Sequence, residues 1–369
     1  MKRLTFLLFS LAFSCFQLLA QEVIRQQLLN RLQEIQKRGI MFGHQDDPFY
    51  GLGWNDRAVA GGHSDILATC ADYPAVMGFE LGGIEVGDEK SLDSVPFTRI
   101  REELLAHVGR GGIATVSWHP RNPLTGGTAW DNKNTDVVHS ILPGGSQHQK
   151  FIVWMKRLSA FLQSLKDEQG NAVPFIFRPW HENSGAWFWW GKTICTTEQY
   201  KALWCTLQDH LLADGLTNIV WSWSPNYGLK DDDFDTYPGH ERVDIIGLDA
   251  YQQPNGEDAF ISTLNKDLSR VCELAKEGKR LVALTECGYQ NVPDSTWWTR
   301  VLKPQIEKYP LCYFLVWRNA DDHQYFAPSP GTKDAPDFRK MVKDERILML
   351  KDISPSPTLP VGARFENEK

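Results

Sequence analysis

The chain has 369 residues, and 42% of them are hydrophobic while 23% are charged, which is the balance of an ordinary globular protein. Its formal net charge of −7 argues against a nucleic-acid partner and against binding to an anionic membrane surface. This length allows either two ordinary domains or one barrel of alternating strands and helices. The order of the elements along the chain decides between these architectures.

The first 20 residues are typical of an export signal. Lys2 and Arg3 give a basic start, residues 4–19 are mostly apolar, and Ala20 is a small residue suited to a cleavage site. The apolar run is too short for a transmembrane helix, so no membrane span is predicted. Processing as a lipoprotein at Cys15 is the alternative, because the residues before it loosely resemble a lipobox. We therefore predict an exported protein, either periplasmic or secreted.

Eight short apolar runs recur along the chain, and each ends in polar or aromatic residues. They cover residues 40–46, 75–81, 113–119, 175–182, 219–226, 243–251, 281–288 and 313–319. Helical patterns cover residues 22–38, 97–108, 147–166, 198–213, 258–277, 296–308 and 334–352. Strands that alternate with helices form a parallel sheet through right-handed crossovers. Eight such units predict an α/β fold of the (β/α)8 TIM-barrel type.

The predicted barrel is one domain with extended βα loops, covering residues 21–354. Residues 355–369 are predicted to be a loosely held tail. The long segment 120–146 is rich in Gly and Asn and follows the third strand, so we expect it to line the face that carries barrel active sites. Six cysteines follow the predicted signal without CxxC spacing, which argues against a zinc ribbon. We expect the protein to be a monomer.

The polar ends of eight parallel strands meet at one face of a barrel. In this chain that face collects His44, Asp46, Glu80, His119, His181, Glu182, Trp223, Asn226, Asp249, Tyr251, Glu286, Trp317 and Arg318. Glu182 ends the fourth run and Glu286 ends the seventh. Two carboxyl groups that face each other across a cleft are the minimal set for cleaving a glycosidic bond, since one protonates the leaving oxygen while the other attacks. Mutual repulsion and burial raise the pKa of one of them.

Aromatic residues surround the first of these acids. Four rings follow it at positions 187–190, and they cannot all point inward from one helix or strand. At least one, with Trp187 the best candidate, is therefore predicted to face the cleft. The chain has 14 tryptophans, and exposed rings suit the flat C–H face of a sugar, although many of them must also fill the core.

Other kinds of chemistry have less support in the sequence. His44, His119 and His181 end separate strands, as in some metal-dependent barrels, but no HxH or HExxH spacing occurs. No GxSxG turn supplies a serine nucleophile, and no GxGxxG follows the first strand. We therefore predict neither a metal nor a cofactor.

Five motifs resemble glycoside hydrolase family 26, a family of retaining (β/α)8 glycosidases that consists mostly of β-mannanases. They are Arg178-Pro-Trp-His-Glu-Asn-Ser-Gly-Ala-Trp-Phe-Trp-Trp-Gly191, Leu284-Thr-Glu-Cys-Gly-Tyr289, Met41-Phe-Gly-His-Gln45, Ser117-Trp-His-Pro120 and Val316-Trp-Arg-Asn319. The resemblance covers nearly all of the chain after the predicted signal. It implies that Glu182 is the acid/base and Glu286 the nucleophile. It also implies a set of substrate-binding residues, namely His119, Trp130, His181, Trp187, Asp249, Tyr251, Trp317 and Arg318.

The expected activity is hydrolysis of β-1,4-mannosidic linkages in mannan, galactomannan, glucomannan or manno-oligosaccharides by retaining double displacement. Cutting inside the chain and release of mannobiose from one end both remain open. One alternative is the same mechanism on mixed-linkage β-glucan or β-1,3-xylan. A more distant alternative is a non-catalytic barrel that binds a glycan, which the presence of both acids argues against. Retention requires the two carboxyl groups to lie about 5 to 5.5 Å apart.

Overall fold

A computed structural model describes residues 21–354, so the predicted signal peptide and the predicted tail lie outside the described residues. Eight parallel strands form a closed barrel. They are β1 Ile40–Gln45, β2 Val76–Glu80, β3 Ile113–Trp118, β4 Phe175–Pro179, β5 Ile219–Trp223, β6 Ile245–Gln252, β7 Leu281–Tyr289 and β8 Leu311–Val316. Each strand pairs with the next one in the chain, and β8 pairs with β1 to close the barrel. The predicted (β/α)8 fold and its eight strands are confirmed.

Helices connect the strands and pack on the outside of the barrel. They are α1 (residues 21–36), α2 Asp65–Cys70, α3 Phe97–Gly109, α4 Val137–Ile141, α5 His148–Gln163, α6 Thr197–Ala213, α7 Glu257–Gly278, α8 Lys303–Ile306, α9 Ala335–Met341 and α10 Leu350–Ile353. Short 3-10 turns lie at Ile84–Val86 and Asp231–Thr236. None of the helices between residues 21 and 354 is long and apolar enough to cross a bilayer.

Two predicted helices differ from the structure. The helix predicted over residues 296–308 is a π-helical turn at Trp298–Leu302 followed by the short helix α8. Pro304 at the start of α8 lacks the backbone N–H that a continuous α-helix would use, which accounts for the break. The helix predicted over residues 334–352 is split by a two-residue strand, Ile347–Leu348, that pairs with β1.

The inside of the barrel is filled by side chains of alternate strand positions. Met41, Ile176 and Tyr313 are examples, and each is fully buried. Leu28, Leu32, Ile35 and other apolar side chains of α1 belong to the same cluster. This first helix therefore closes the N-terminal end of the barrel. The opposite end stays open and carries the loops that follow the strands.

Those loops are held by specific local bonds. A short hairpin after β1 pairs Tyr50–Gly51 with Trp54–Asn55. The long loop after β3 contains α4, which the sequence did not reveal. The loop after β4 ends at a capping box, in which Thr196 accepts a bond from the Gln199 amide at 3.2 Å and Gln199 accepts one from the Thr196 amide at 3.0 Å. The six cysteines of the described residues are all free thiols.

Candidate active site

A cavity of about 810 Å³ opens at the C-terminal end of the barrel strands. One group of lining side chains carries rings: His119, Trp130, His181, Trp187, Phe188, Tyr227, Tyr251, Tyr289, Trp317 and Phe326. A second group carries carboxamides: Asn226, Gln252, Gln253, Gln290, Asn291 and Gln324. The two acids Glu182 and Glu286 complete the lining together with Pro254. The predicted convergence is confirmed for the ends of β3 to β8, whereas His44 of β1 and Glu80 of β2 do not line the cavity.

Glu182 is aimed into this cavity by an unusual backbone turn after β4. Trp180 and Glu182 both have positive φ, at 54° and 53°, which an L-residue adopts only when its surroundings hold it there. The Glu182 amide donates to the Ser224 carbonyl at 2.7 Å. The Trp180 ring is fully buried against Trp189 and Trp190, with ring centroids 5.4 and 5.6 Å away. The turn therefore holds one carboxyl group at a fixed position over the barrel.

Glu286 lies on β7, beside Asp249 on β6, where the register of the two strands shifts by a bulge. One carboxylate oxygen from each of Glu182, Asp249 and Glu286 lies within 4.8 Å of the others. This spacing fits the short separation of retaining glycosidases and leaves little room for the interposed water of the inverting ones.

Arg178 compensates the charge of this cluster from beneath. Its guanidinium group donates to Asp249 at 2.8 Å and to Glu286, and its side chain is almost completely buried. Burial alone would lower the pKa of Arg178, but the carboxylates of Asp249 and Glu286 raise it above its ordinary value. The Tyr251 hydroxyl donates to the second oxygen of Glu286 at 2.7 Å. Both oxygens of Glu286 therefore accept hydrogen bonds.

The environment of Glu182 favours its protonated form. Burial raises its pKa well above the ordinary value, and the nearby charges of Glu286 and Asp249 raise it further. The Trp187 indole N–H donates to Glu182 at 2.8 Å and opposes this shift. A raised pKa suits Glu182 to the role of a general acid.

Two histidines form one wall of the cavity. Their Nε2 atoms lie 2.9 Å apart, so one ring must donate to the other. His119 Nδ1 bonds the Glu80 carboxylate at 2.8 Å. Burial lowers the pKa of His119, but Glu80 outweighs this and leaves it raised. Burial, with Arg178 and His119, lowers the pKa of His181. These opposite shifts favour His119 as the donor and His181 as the acceptor of the bond between the two rings.

Glu80 itself is tightly held. It accepts from the Ser117 hydroxyl at 2.6 Å and from the backbone amides of Gly82 and His119 at 2.6 and 2.9 Å. Burial raises its pKa, but the charge and bonds of His119 outweigh this and lower the value to about 2. Glu80 is thus an ionised, fully bonded support behind the cavity wall.

The rings at positions 187–190 divide between cavity and core. Trp187 and Phe188 line the cavity, whereas Trp189 and Trp190 are fully buried. The placement predicted for Trp187 is therefore confirmed. Trp130, from the loop after β3, is half exposed and stacks on His119 with ring centroids 5.4 Å apart. This loop lines the cavity as predicted.

Most of the predicted site residues lie together. Glu182, Glu286, His119, Trp130, His181, Trp187, Tyr251 and Trp317 all line the cavity. Asp249 lies behind its wall, fully buried, where it bonds Arg178 and accepts from the Thr285 hydroxyl at 2.6 Å. Arg318 also lies outside the cavity and pairs with Asp93 at 3.2 Å. The strand-end pattern correctly predicted that these two side chains lie at the C-terminal end of the barrel. It did not distinguish residues that line the cavity from residues buried beneath the lining.

The histidine set that suggested a metal does not assemble. His44 bonds Asp47 at 2.8 Å, away from the contact between His119 and His181. Within residues 21–354 the one group of side chains with metal-like spacing is the three acids, and Arg178 already compensates two of them.

Sequence reasoning missed the roles of Arg178 and Glu80. A signal for Arg178 was present, because inward-facing residues alternate along a strand and Ile176 faces the barrel interior. Arg178 is the next inward position. The partner of His119 had no such signal, since Glu80 and His119 come from different strands.

The closed barrel, the paired acids and the aromatic cavity define a glycoside hydrolase. Residues 20–341 match the model of glycosyl hydrolase family 26, and the chain belongs to this family. It is 41% identical to a GH26 β-mannanase from Bacteroides ovatus, BoMan26A, with a TM-score of 0.86 over 92% of this chain and 98% of that one.

Curated relatives point in the same direction. A mannan endo-1,4-β-mannosidase of Bifidobacterium adolescentis is 29% identical over 87% of this chain, which spans only 34% of that protein's length. A mannan endo-1,4-β-mannosidase of Bacillus subtilis (strain 168) is 30% identical over 79% of this chain and 76% of the relative.

Proposed function

We propose that the protein hydrolyses β-1,4-mannosidic linkages in mannan, galactomannan, glucomannan or manno-oligosaccharides with retention of configuration. The observation that carries the proposal is the contrast between two acids in one cavity. Glu286 accepts bonds from Arg178 and Tyr251, whereas Glu182 has a pKa raised by burial and by its neighbours' charge. The mannan-degrading activity named for the relatives supports this choice of substrate.

In the first step an oxygen of Glu286 attacks the anomeric carbon. The bond from that carbon to the glycosidic oxygen breaks, and the protonated Glu182 transfers its proton to the departing oxygen. The product is a glycosyl ester on Glu286, which no longer carries a negative charge. Because that charge was the second-largest cause of the raised pKa of Glu182, the pKa of Glu182 falls after this step.

In the second step Glu182, now a carboxylate, takes a proton from water. The water oxygen bonds the anomeric carbon, and the ester bond to Glu286 breaks. Glu182 is protonated again and Glu286 is ionised, so both acids return to their starting states. Arg178 and Tyr251 receive the released carboxylate without rearrangement, since they already bond it in the resting site.

The chemistry of the cavity wall supports a neutral polysaccharide. Its lining has carboxamides and rings but no Lys or Arg among the described residues. Carboxamides both donate to and accept from sugar hydroxyls, while the rings suit the C–H faces of a pyranose. Acidic glycans would bring carboxylates close to Glu182 and Glu286 without a free cation to pair with.

Rescue with azide tests the roles of the two acids. Glu286→Ala is expected to lose detectable turnover. Azide would occupy the space left by the Glu286 carboxylate, attack the anomeric carbon from that side and give an α-glycosyl azide from a β-mannoside. Glu182→Ala is expected to lose about 10²- to 10⁴-fold on mannan but to keep fast glycosylation with a dinitrophenyl leaving group. Azide would then give the β-glycosyl azide. The reverse pairing of variants and products would contradict the assignment.

A substrate panel tests the choice of glycan. Reducing ends released from mannan, glucomannan, mixed-linkage β-glucan and β-1,3-xylan are compared at equal enzyme concentration, with Glu286→Ala as the matched blank. Mannan or glucomannan is expected to be cut fastest. Faster cutting of the glucan or xylan would transfer the same mechanism to that substrate, and no cutting of any of them would favour a glycan-binding barrel.

Export and a monomeric state are part of the proposal. The basic start and apolar run of residues 1–20 support export, either with cleavage after Ala20 or with lipidation at Cys15. The mass of the mature N-terminal peptide, taken from the membrane fraction as well as from the periplasm and medium, distinguishes these outcomes, since lipidation adds a diacylglyceryl group to the cysteine. Light scattering on the purified protein tests the monomer.

A further inference from the structure

A second depression, the Trp54 groove, lies on the same face of the barrel as the catalytic cavity. It has a volume of about 460 Å³ and is lined by the hairpin after β1 and the loop after β8. The hairpin contributes Trp54, Asn55 and Arg57, and the loop contributes Asp321–His323. None of these residues belongs to the catalytic cavity, so the mechanism leaves the groove without a role.

The Trp54 ring is held in one orientation. Its indole N–H donates to Asp65 at 2.9 Å, and the His63 ring lies against it with centroids 5.5 Å apart. Asp65 is buried and also accepts from the Leu52 amide at 3.1 Å and from Asn319 at 2.8 Å. One carboxylate therefore fixes both walls of the groove. A ring that is already immobilised loses little conformational entropy when a ligand covers it.

Polar groups surround the ring. Arg57 places its guanidinium 3.7 Å from the Tyr50 ring centroid, and its Nε–H donates to the Asp93 carbonyl. Among residues 21–354 its other two guanidinium nitrogens have no hydrogen-bond partner, so they are available to a ligand. Asp322 and His323 are exposed at the opposite wall. A flat aromatic surface edged by hydrogen-bond donors and acceptors suits a hexose. The C–H face of the sugar packs on the ring, and its hydroxyls form hydrogen bonds with the polar groups.

The groove connects with the catalytic cavity through a third depression. That depression, also of about 460 Å³, shares Asn291 with the catalytic cavity and Asp322 with the Trp54 groove. Asn291 is fixed there by a bond from its side chain to the His323 carbonyl at 3.1 Å. The three depressions are therefore neighbours at the open end of the barrel, in the order from the acids to Trp54.

The geometry points to the Trp54 groove as a second binding site for hexoses of a neutral polysaccharide, outside the catalytic cavity. This inference rests on the proposed function, because it takes the ligand to be the polymer that the cavity cuts. The hexose belongs either to the far part of the chain being cut or to a neighbouring chain. In both cases the groove increases affinity for polymers without touching the reacting bond.

Binding and turnover of Trp54→Ala test the inference. On polymeric mannan its kcat/KM is expected to fall about three- to tenfold, the effect of one lost aromatic contact. On mannotetraose kcat/KM is expected to stay at the wild-type value. His323→Ala removes an exposed side chain from the other wall and is expected to give a smaller loss on polymer alone. Tyr73→Ala truncates a half-buried ring at the opposite end of the barrel and is the matched control.

The source of the hexose follows from a comparison of polymers. Loss on soluble and insoluble mannan alike places the far part of the cut chain in the groove, whereas loss on insoluble mannan alone places a neighbouring chain there. Unchanged polymer kinetics for both Trp54→Ala and His323→Ala would overturn the inference.

Affinity electrophoresis separates this inference from the proposed function. Retardation by each polysaccharide is measured on Glu286→Ala with and without Trp54→Ala, so the readout needs no catalysis. If the wild type cuts no mannan, the proposed function fails, while weaker retardation by any polysaccharide in the double variant still supports the groove. Equal retardation of the single and double variants by all polysaccharides would refute it.

Discussion

Trp187 donates one hydrogen bond to Glu182, and the bond has a measurable consequence. It stabilises the carboxylate form and so opposes the raised pKa of the acid. Trp187→Phe removes the donor but keeps a ring, so the pKa of Glu182 is expected to rise. Because the acid must be protonated for the first step, the basic limb of the kcat/KM profile is expected to move to higher pH.

Trp130→Phe is the matched control for this pH shift, since Trp130 lines the same cavity without a bond to either acid among the described residues. It is expected to change KM while the basic limb stays in place. A basic limb that moves to lower pH in Trp187→Phe would contradict the role given to the indole N–H.

Glu182 also carries a stability penalty that depends on pH. Its folded pKa is raised, so the folded state holds the proton more tightly than the unfolded chain, whose pKa is near 4.3. Stability is therefore lost as pH rises above that unfolded value. Glu182→Gln mimics the protonated acid and is expected to raise the free energy of unfolding at pH 7 by about 1–2 kcal/mol.

Urea unfolding at several pH values measures this gain, which is expected to vanish below about pH 4, where both states of the wild type are protonated. Glu34→Gln, at an exposed i,i+3 pair, is the matched control with little expected change. A Glu182→Gln variant that is less stable than the wild type at pH 7 would contradict the loss of folding stability attributed to Glu182 at that pH.

At the scale of elements, strands β2 and β3 are joined by a side-chain pair as well as by their ladder. Glu80 ends β2 and bonds His119, the residue after β3. Its pKa of about 2 lies below the unfolded value, so the pair adds stability above about pH 4.5 and loses it as pH falls toward 2. Glu80→Gln removes the charged partner of the buried His119 ring and is expected to cost about 3 kcal/mol at pH 7.

Thermal or urea unfolding at pH 7 checks this loss, and NMR titration of the His119 ring checks its cause. The pKa of His119 is expected to fall in Glu80→Gln, because the carboxylate that raises it has gone. An unchanged ring titration together with wild-type stability would contradict the ionised support described for Glu80.

The elements were predictable from sequence to the extent that their signals are local. Each barrel strand is a short apolar run with a polar end, and the capping box at Thr196 and Gln199 is a four-residue pattern. The contacts between elements were not predictable in this way. Arg178 compensates acids from β6 and β7, and the depth of Asp249 depends on a bulge. Such features appear only when the barrel closes and fixes the register.

At the scale of the whole molecule, closure of the barrel makes the chemistry possible. Glu182 and Glu286 are 104 residues apart in sequence, yet carboxylate oxygens of the two lie within 4.8 Å. The α1 helix closes the other end, so one face alone is open to a polysaccharide. The same face carries the Trp54 groove, which extends the surface available to a long chain.

The most direct test of this account is the configuration of the first product. Hydrolysis of mannohexaose is followed by ¹H NMR within the first minutes, before the released sugar equilibrates between its anomers. Double displacement through Glu286 predicts that the β-anomer appears first and the α-anomer grows in later by mutarotation. Initial release of the α-anomer would mean a single displacement by water and would contradict the nucleophilic role of Glu286.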